Sequence, residues 1–260
     1  MTLRRPSSKS ISYQPSALIR VFATPEDLGR ALALDVARRL DEEPDVVLGL
    51  PTGRTPIPLY REIVRLHRTG RADFSRATTF NLDEFLGLAP NDPHSFRAFM
   101  QRHLFGHVNL SPRRIQFLNG ATRDIDRECQ RYERAIDRAG GIDLQILGLG
   151  VNGHIGFNEP AHALVARTHC TRLKPATRRA NARFFDNRES AVPREALSMG
   201  MATILHAKRI VLLATGATKA HCVQRMIEGP VMPRLPGSFL QLHRCAEIWL
   251  DRAAAARLRA

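Results

Sequence analysis

Nowhere do the 260 residues contain an apolar run approaching the roughly 20 that a membrane-spanning helix requires. The densest run, residues 210–214, has the length of a buried strand. The first residues carry Arg4, Arg5 and Lys9 among serines, with no apolar core behind them. No secretory signal is read there, a cytoplasmic location is expected, and residues 1–17 are predicted to form an unstructured polar extension. Cysteine is scarce. Cys129, Cys170, Cys222 and Cys245 stand far apart and form no C-x-x-C pair, which argues against a disulfide framework or a zinc site and for reduced thiols. Metal and cofactor are both expected to be absent.

What the chain has in excess is positive charge: 39 Lys and Arg against 25 Asp and Glu, a formal net charge of +14. The arginines are spread along the whole chain rather than blocked, and no RRM, KH, zinc-finger or basic-zipper signature accompanies them. Nucleic-acid and membrane partners are therefore not expected. With 43% hydrophobic and 6% aromatic residues, the composition is that of an ordinary globular protein.

Short runs rich in Val, Ile and Leu alternate with amphipathic stretches. Residues 45–50, 78–82, 143–149, 209–214 and 246–250 are predicted to be buried strands. Thr24 is the predicted N-cap of a helix with Pro25 at its first position, and Leu28, Leu32, Val36 and Leu40 mark its buried face. Further helices are predicted over 124–139, after Pro56 and from about Thr218. This alternation predicts a doubly wound, mostly parallel α/β sheet with helices on both faces, and a single domain over 18–260. In such folds ligands bind beyond the carboxyl ends of the strands.

Three predicted strand ends carry unusual loops. In residues 49–56 (GLPTGRTP), two glycines allow close backbone approach, two threonines offer hydroxyls and a helix N-terminus follows. That arrangement reads equally as a phosphate cradle or as a tight turn with no ligand. Asp83 and Glu84 are adjacent carboxylates that should point apart. One would face the crevice and the other solvent or a basic partner, the alternative being a solvated turn. His154 lies among four glycines in residues 147–160, with Glu159 five positions on, close enough to orient or charge the imidazole. A structural histidine is the competing reading.

Together, the blocks GLPTGRTP, FNLDEFLGL and GVNGHIGFNEP resemble the glucosamine-6-phosphate deaminase family. The resemblance continues through RRANARFFD (178–186), GATKA (216–220) and SFLQLH (238–243), and covers about residues 18–251. It implies a Rossmann-like fold and the conversion of glucosamine 6-phosphate to fructose 6-phosphate and ammonia. By motif position, Asp83 would move a proton between C2 and C1 of the open sugar. His154 would assist ring opening, with Glu159 in a relay. Thr52, Gly53, Thr55, Arg183 and Lys219 would bind the phosphate.

Two positions depart from the family pattern. Asn152 stands where many relatives carry a relay aspartate; its amide can hold the imidazole by a hydrogen bond but cannot stabilise its charge. Arg54 replaces a common glycine, and either adds charge near the phosphate or points to solvent. The rival readings are a 6-phosphogluconolactonase, which would not supply the N-E-P of residues 158–160, and a sugar-phosphate sensor, whose DNA-binding segment the N-terminal extension is too short to hold. Regulated family members respond to N-acetylglucosamine 6-phosphate through hydroxyls and cations after the N-E-P. Residues 161–163 (AHA) and 169–171 (HCT) lack these, so no such response is expected. The chain is expected to act as a monomer or homo-oligomer on a small amino-sugar phosphate.

Overall fold

The computed structural model describes residues 18–259, so the extension expected over 1–17 lies outside the described residues. The strands are β1 (Leu18–Phe22), β2 (Val47–Leu50), β3 (Thr78–Asn81), β4 (Asp83–Phe85), β5 (Ile115–Gln116), β6 (Leu144–Gly148), β7 (His169–Arg172), β8 (Glu195–Ser198), β9 (Arg209–Ala214) and β10 (Ala246–Asp251). The helices are α1 (Pro25–Glu42), α2 (Ile57–Arg68), α3 (Phe96–His103), α4 (Ile125–Arg138), α5 (Pro175–Asn181), α6 (Met201–Leu205), α7 (Ala220–Glu228) and α8 (Arg252–Ala255).

Local chemistry sets the helix starts. At α1 the Thr24 hydroxyl accepts the Asp27 amide at 3.1 Å and donates to the Asp27 carboxylate at 2.8 Å. Leu28, Leu32, Val36 and Leu40 are all buried, as their four-residue spacing predicts. Truncating Leu32 to alanine there would cost about 2–5 kcal/mol. Asp124 caps α4 by accepting the Arg127 amide, and the helix ends before Gly140 and Gly141. The last predicted helix begins later than its sequence suggests: residues 217–219 form a 3-10 turn, and α7 starts at Ala220.

Seven strands form a parallel sheet in the order β1-β10-β9-β6-β2-β3-β5, and β4-β8-β7 form a separate antiparallel sheet. Side chains alternate between two cores. Val211 and Leu213 of β9 pack with α1, α2 and α3; Ile210, Leu212 and Ala214 pack with α4, α6 and α7. Each such fully buried aliphatic side chain contributes on the order of 1.5–3 kcal/mol. The strand predicted from residue 45 starts at Val47 because Asp45 is exposed and pairs with Arg76. Asp143 precedes β6, and its carboxylate accepts the Val47 amide at 2.7 Å. β1, β4, β5, β7, β8, α3, α5, α6 and α8 were not anticipated. β1 is an exposed edge strand, and β4 is three residues long, too short for periodicity to register.

One feature of this topology positions the site. β2 and β6 are neighbours, yet the chain leaves β2 toward β3 and leaves β6 toward β9 on the other side. The loops beyond their carboxyl ends diverge there and leave a crevice.

Candidate active site

The crevice is a cavity of about 470 Å³, lined by the loops after β2, β3, β6 and β9 and by residues of and after α5. Its volume falls within the range of small-ligand sites. Its lining falls into two chemical sets.

Cations and hydroxyls make up the first set. Thr52, Gly53, Arg54 and Thr55 line it from the β2 loop, Arg183 from the turn after α5, and Thr218 and Lys219 from the β9 loop. Gly53 has φ 98°, a left-handed conformation that an L side chain rarely adopts. The Lys219 ammonium donates to the Leu149 carbonyl at 2.6 Å, tying the β9 and β6 loops together. Burial, with Arg183 pushing the same way, lowers Lys219 to about 8. Burial and then the neighbouring Arg54 cation lower Arg183 as well. The Arg183 guanidinium lies over the Phe184 ring at 4.9 Å, and Phe185 packs edge-on against Phe85 at 5.3 Å. The paired phenylalanines anchor the turn that presents Arg183.

The second set is Asp83 and His154, and Asp83 is the single carboxylate lining the cavity among the described residues. Asp83 sits where the chain passes from β3 into the second sheet, paired in register with Ser198. It is buried, and its Oδ1 has no hydrogen-bond partner among the described residues. Burial, reinforced by the Glu84 charge, raises its carboxyl to about 8. The expectation that Glu84 faces solvent or a basic partner is overturned. Glu84 is buried and accepts the amides of Phe85, Phe96 and Arg97, the last two at the start of α3. The α3 N-terminus leaves amides that need an acceptor, and Glu84 supplies it. Burial raises Glu84 to about 7, with those amides pulling the other way.

His154 leaves a tight turn in which the Gly150 amide donates to the His154 carbonyl at 2.9 Å. A Cβ at Gly150 would come within 2.4 Å of the imidazole, so only glycine lets the ring lie back over its own loop. Glu159 and Asn152 are not among the residues lining the cavity; Glu159 is buried, with Oε2 3.7 Å from His154 Nδ1. That is an ion-pair separation, longer than a hydrogen bond. Burial opposes ionisation of Glu159, but the His154 contact, with help from Asn152, outweighs it and holds the carboxyl at about 2. Asn152 does not hold the imidazole as expected. Its side-chain amide donates to Glu159 Oε2 at 2.9 Å, and its Oδ1 accepts the His154 backbone amide at 3.3 Å.

Sequence reasoning left Arg54 undecided and overlooked Thr177, Asn181 and Thr218, which also line the cavity. Each sits inside or just before a motif block already noted, RRANARFFD or GATKA. It also passed over two fully buried tyrosines. Tyr60 donates to the Pro51 carbonyl and Tyr132 to that of Asn81, fixing the ends of β2 and β3. Nothing in their helical spacing distinguished them from ordinary core. Among the described residues there is no group of three or more His, Cys, Asp or Glu placed to hold a metal ion.

The fold places the chain among doubly wound α/β proteins, with a crevice lined by cations, hydroxyls, a carboxylate and a histidine. Comparison with known proteins narrows the class. The family profile described as glucosamine-6-phosphate isomerases/6-phosphogluconolactonase matches residues 23–249, and the chain belongs to that family. It is 46% identical over 233 residues to a protein named glucosamine-6-phosphate deaminase from Clostridium botulinum (strain Hall), covering 90% of this chain and 95% of that one. A protein of the same name from Thermoanaerobacter sp. (strain X514) is 43% identical over 230 residues, covering 88% and 90%. A solved structure described as a monomeric glucosamine-6-phosphate deaminase matches with a TM-score of 0.89 at 43% identity, over 92% of this chain and 99% of that chain. A 6-phosphogluconolactonase from Thermotoga maritima has a TM-score of 0.72 at 18% identity, over 90% and 99%, and shares the fold.

Proposed function

We propose that this protein converts glucosamine 6-phosphate and water to fructose 6-phosphate and ammonia. The observation that carries the reading is that Asp83 and His154 line the same cavity as Arg54, Arg183 and Lys219. The cations and the β2-loop hydroxyls take the phosphate, which leaves C1 and C2 of the sugar at the Asp83 end. His154, with Glu159 behind it, gives a proton to the ring oxygen as the ring opens. Asp83 then removes the C2 proton and returns it to C1. The nitrogen becomes an imine at C2, and water releases it as ammonia. A carboxyl raised toward the working pH suits such a shuttle, because it both accepts and returns a proton readily.

The two deaminase-named relatives and the 43%-identical structure support this substrate over a lactone. So does the N-E-P after the histidine, whose Asn158 is buried and donates to the Ile155 and Met199 carbonyls. Among the described residues no helix is long and apolar enough to cross a membrane. A cytoplasmic monomer completes the reading, supported by the description of the 43%-identical structure as monomeric. The test is incubation with glucosamine 6-phosphate, assaying ammonia and fructose 6-phosphate together, with 6-phosphogluconolactone in a parallel arm. Lactone hydrolysis without ammonia would overturn the assignment.

A further inference from the structure

Two buried polar atoms beside the His154–Glu159 pair are left over from its contacts. Glu159 Oε2 accepts the Asn152 amide at 2.9 Å and faces His154 Nδ1 at 3.7 Å. Glu159 Oε1 is buried and has no hydrogen-bond partner among the described residues, and the same is true of Thr177 Oγ1. A helical threonine often returns its hydroxyl to a carbonyl three or four residues back, but this one does not. It acts instead on Glu159. Burial opposes ionisation of that carboxyl and His154 favours it most strongly; Thr177 is the next side chain to favour the charged form.

The backbone accounts for their proximity. Thr177 lies in the first turn of α5, and Lys174, the N-cap of that helix, donates its ammonium to the carbonyl of Pro160, the residue after Glu159. Thr177 is only 2% exposed and still lines the cavity, which Glu159 does not. The charged groups around the pair are Lys174 on the Pro160 carbonyl, with Asp83 and Lys219 on the cavity wall, and none of them donates to Oε1. A carboxylate held at one oxygen can turn about that contact, and a donor at the second oxygen fixes its plane. The 3-10 turn that carries Arg183 follows α5 directly, so one segment reaches both the cations and the relay.

We propose that Thr177 is a positioning residue of the relay: its hydroxyl supplies the donor for Glu159 Oε1 and keeps the carboxylate behind His154. The proposal deepens the functional reading above, on which its kinetic arm rests, and its spectroscopic arm is independent of any substrate.

The spectroscopic arm follows the His154 imidazole of the full chain by NMR as pH is varied, its signal identified by loss in His154→Asn. Thr177→Val removes the hydroxyl at nearly constant volume. With Glu159 no longer held opposite the ring, the titration should move to lower pH by about half a unit or more. Thr177→Ala, which adds no buried methyl in place of the hydroxyl, should give the same shift, and Thr177→Ser should return it to the parent position. In the kinetic arm, Thr177→Val should lower kcat about tenfold while KM for glucosamine 6-phosphate stays within twofold, because Arg183 and Lys219 are untouched. Serine should rescue kcat. A His154 titration unmoved in both the valine and alanine variants overturns the proposal, and so does a serine variant that behaves as valine does. If the titration shifts as described but the parent releases no ammonia, the positioning role stands and the proposed reaction fails.

Discussion

Asn152 donates its side-chain amide to Glu159 Oε2 at 2.9 Å, so the residue in the relay position restrains the carboxylate rather than the imidazole. Glu159 in turn stands 3.7 Å from His154 Nδ1. The neutral amide keeps a single negative charge behind the histidine and donates a proton that an aspartate would not. Asn152→Asp would set two carboxylates against each other, and they would hold a proton between them or draw a stronger positive charge onto His154. The pH profile of kcat, as distinct from that of kcat/KM, should move upward, with a modest fall in its maximum as Glu159 shifts. An unmoved profile would show that Asn152 is uncoupled from the pair.

Asp83→Asn should lower turnover by at least about 10², because an amide cannot take the C2 proton. It should also stabilise the fold at neutral pH. The carboxyl titrates at about 8 in the native protein against an ordinary value of 3.8, so ionisation favours the unfolded chain. The parent therefore loses stability as pH rises from that ordinary value to about 8, and the loss is absent at lower pH. Thermal melts should give the variant a higher Tm at pH 7.5 and an equal one near pH 3. A lower Tm at pH 7.5 would mean that the ionised carboxylate has a stabilising partner.

The pH dependence of kcat/KM should be a narrow bell centred near 8. Its rising limb is ionisation of Asp83 at about 8, and its falling limb is loss of the Lys219 proton, also at about 8. Lys219→Arg keeps a cation at all accessible pH, so its falling limb should shift alkaline while the rising limb stays in place. A falling limb identical in both proteins would assign it to a group on the substrate.

Lys219→Ala and Arg183→Ala should raise KM by about tenfold or more with a smaller fall in kcat, since both cations belong to the proposed phosphate site rather than to the reacting end. Of the two, Lys219→Ala should have the larger kcat effect, because it also frees the Leu149 carbonyl that begins the His154 loop. A fall in kcat with KM unchanged would reverse the proposed orientation of the sugar.

Initial rates should be hyperbolic in glucosamine 6-phosphate and indifferent to N-acetylglucosamine 6-phosphate. Residues 161–163 are exposed and carry only His162 as a polar side chain. The Arg234 guanidinium lies 3.4 Å from the His162 ring, and Arg167 is paired with Glu133 at 3.0 Å. Sigmoidal rates made hyperbolic by the acetylated sugar phosphate would show a second phosphate site that these residues do not account for.

Much of this architecture was legible before any coordinates. Strands β2, β6, β9 and β10 announce themselves as largely aliphatic runs because both faces of a central parallel strand are buried, and β3 as a β-branched and aromatic one. Helix α1 is written in Thr24, Pro25 and the four-residue spacing of its leucines and valine. The second sheet was not legible. Its strands are short and partly polar, and β4 is the D-E-F segment that reads by itself as a charged turn. Only pairing with β8 makes it a strand.

The sequence by itself determined the fold class, the three strand-end loops and the candidate side chains they carry, because hydrophobic period and glycine placement are local properties. Which of those side chains meet was decided by tertiary structure. Asp83 is separated from Glu84 by a single peptide bond, yet one faces the cavity and the other caps α3. Their pairing partners lie more than ten residues away, and no local signal encodes that distance. Arg54, Arg183 and Lys219 likewise come from three loops far apart in the chain. Their convergence is a consequence of the reversal of strand order between β2 and β6, which brings those loops to one crevice.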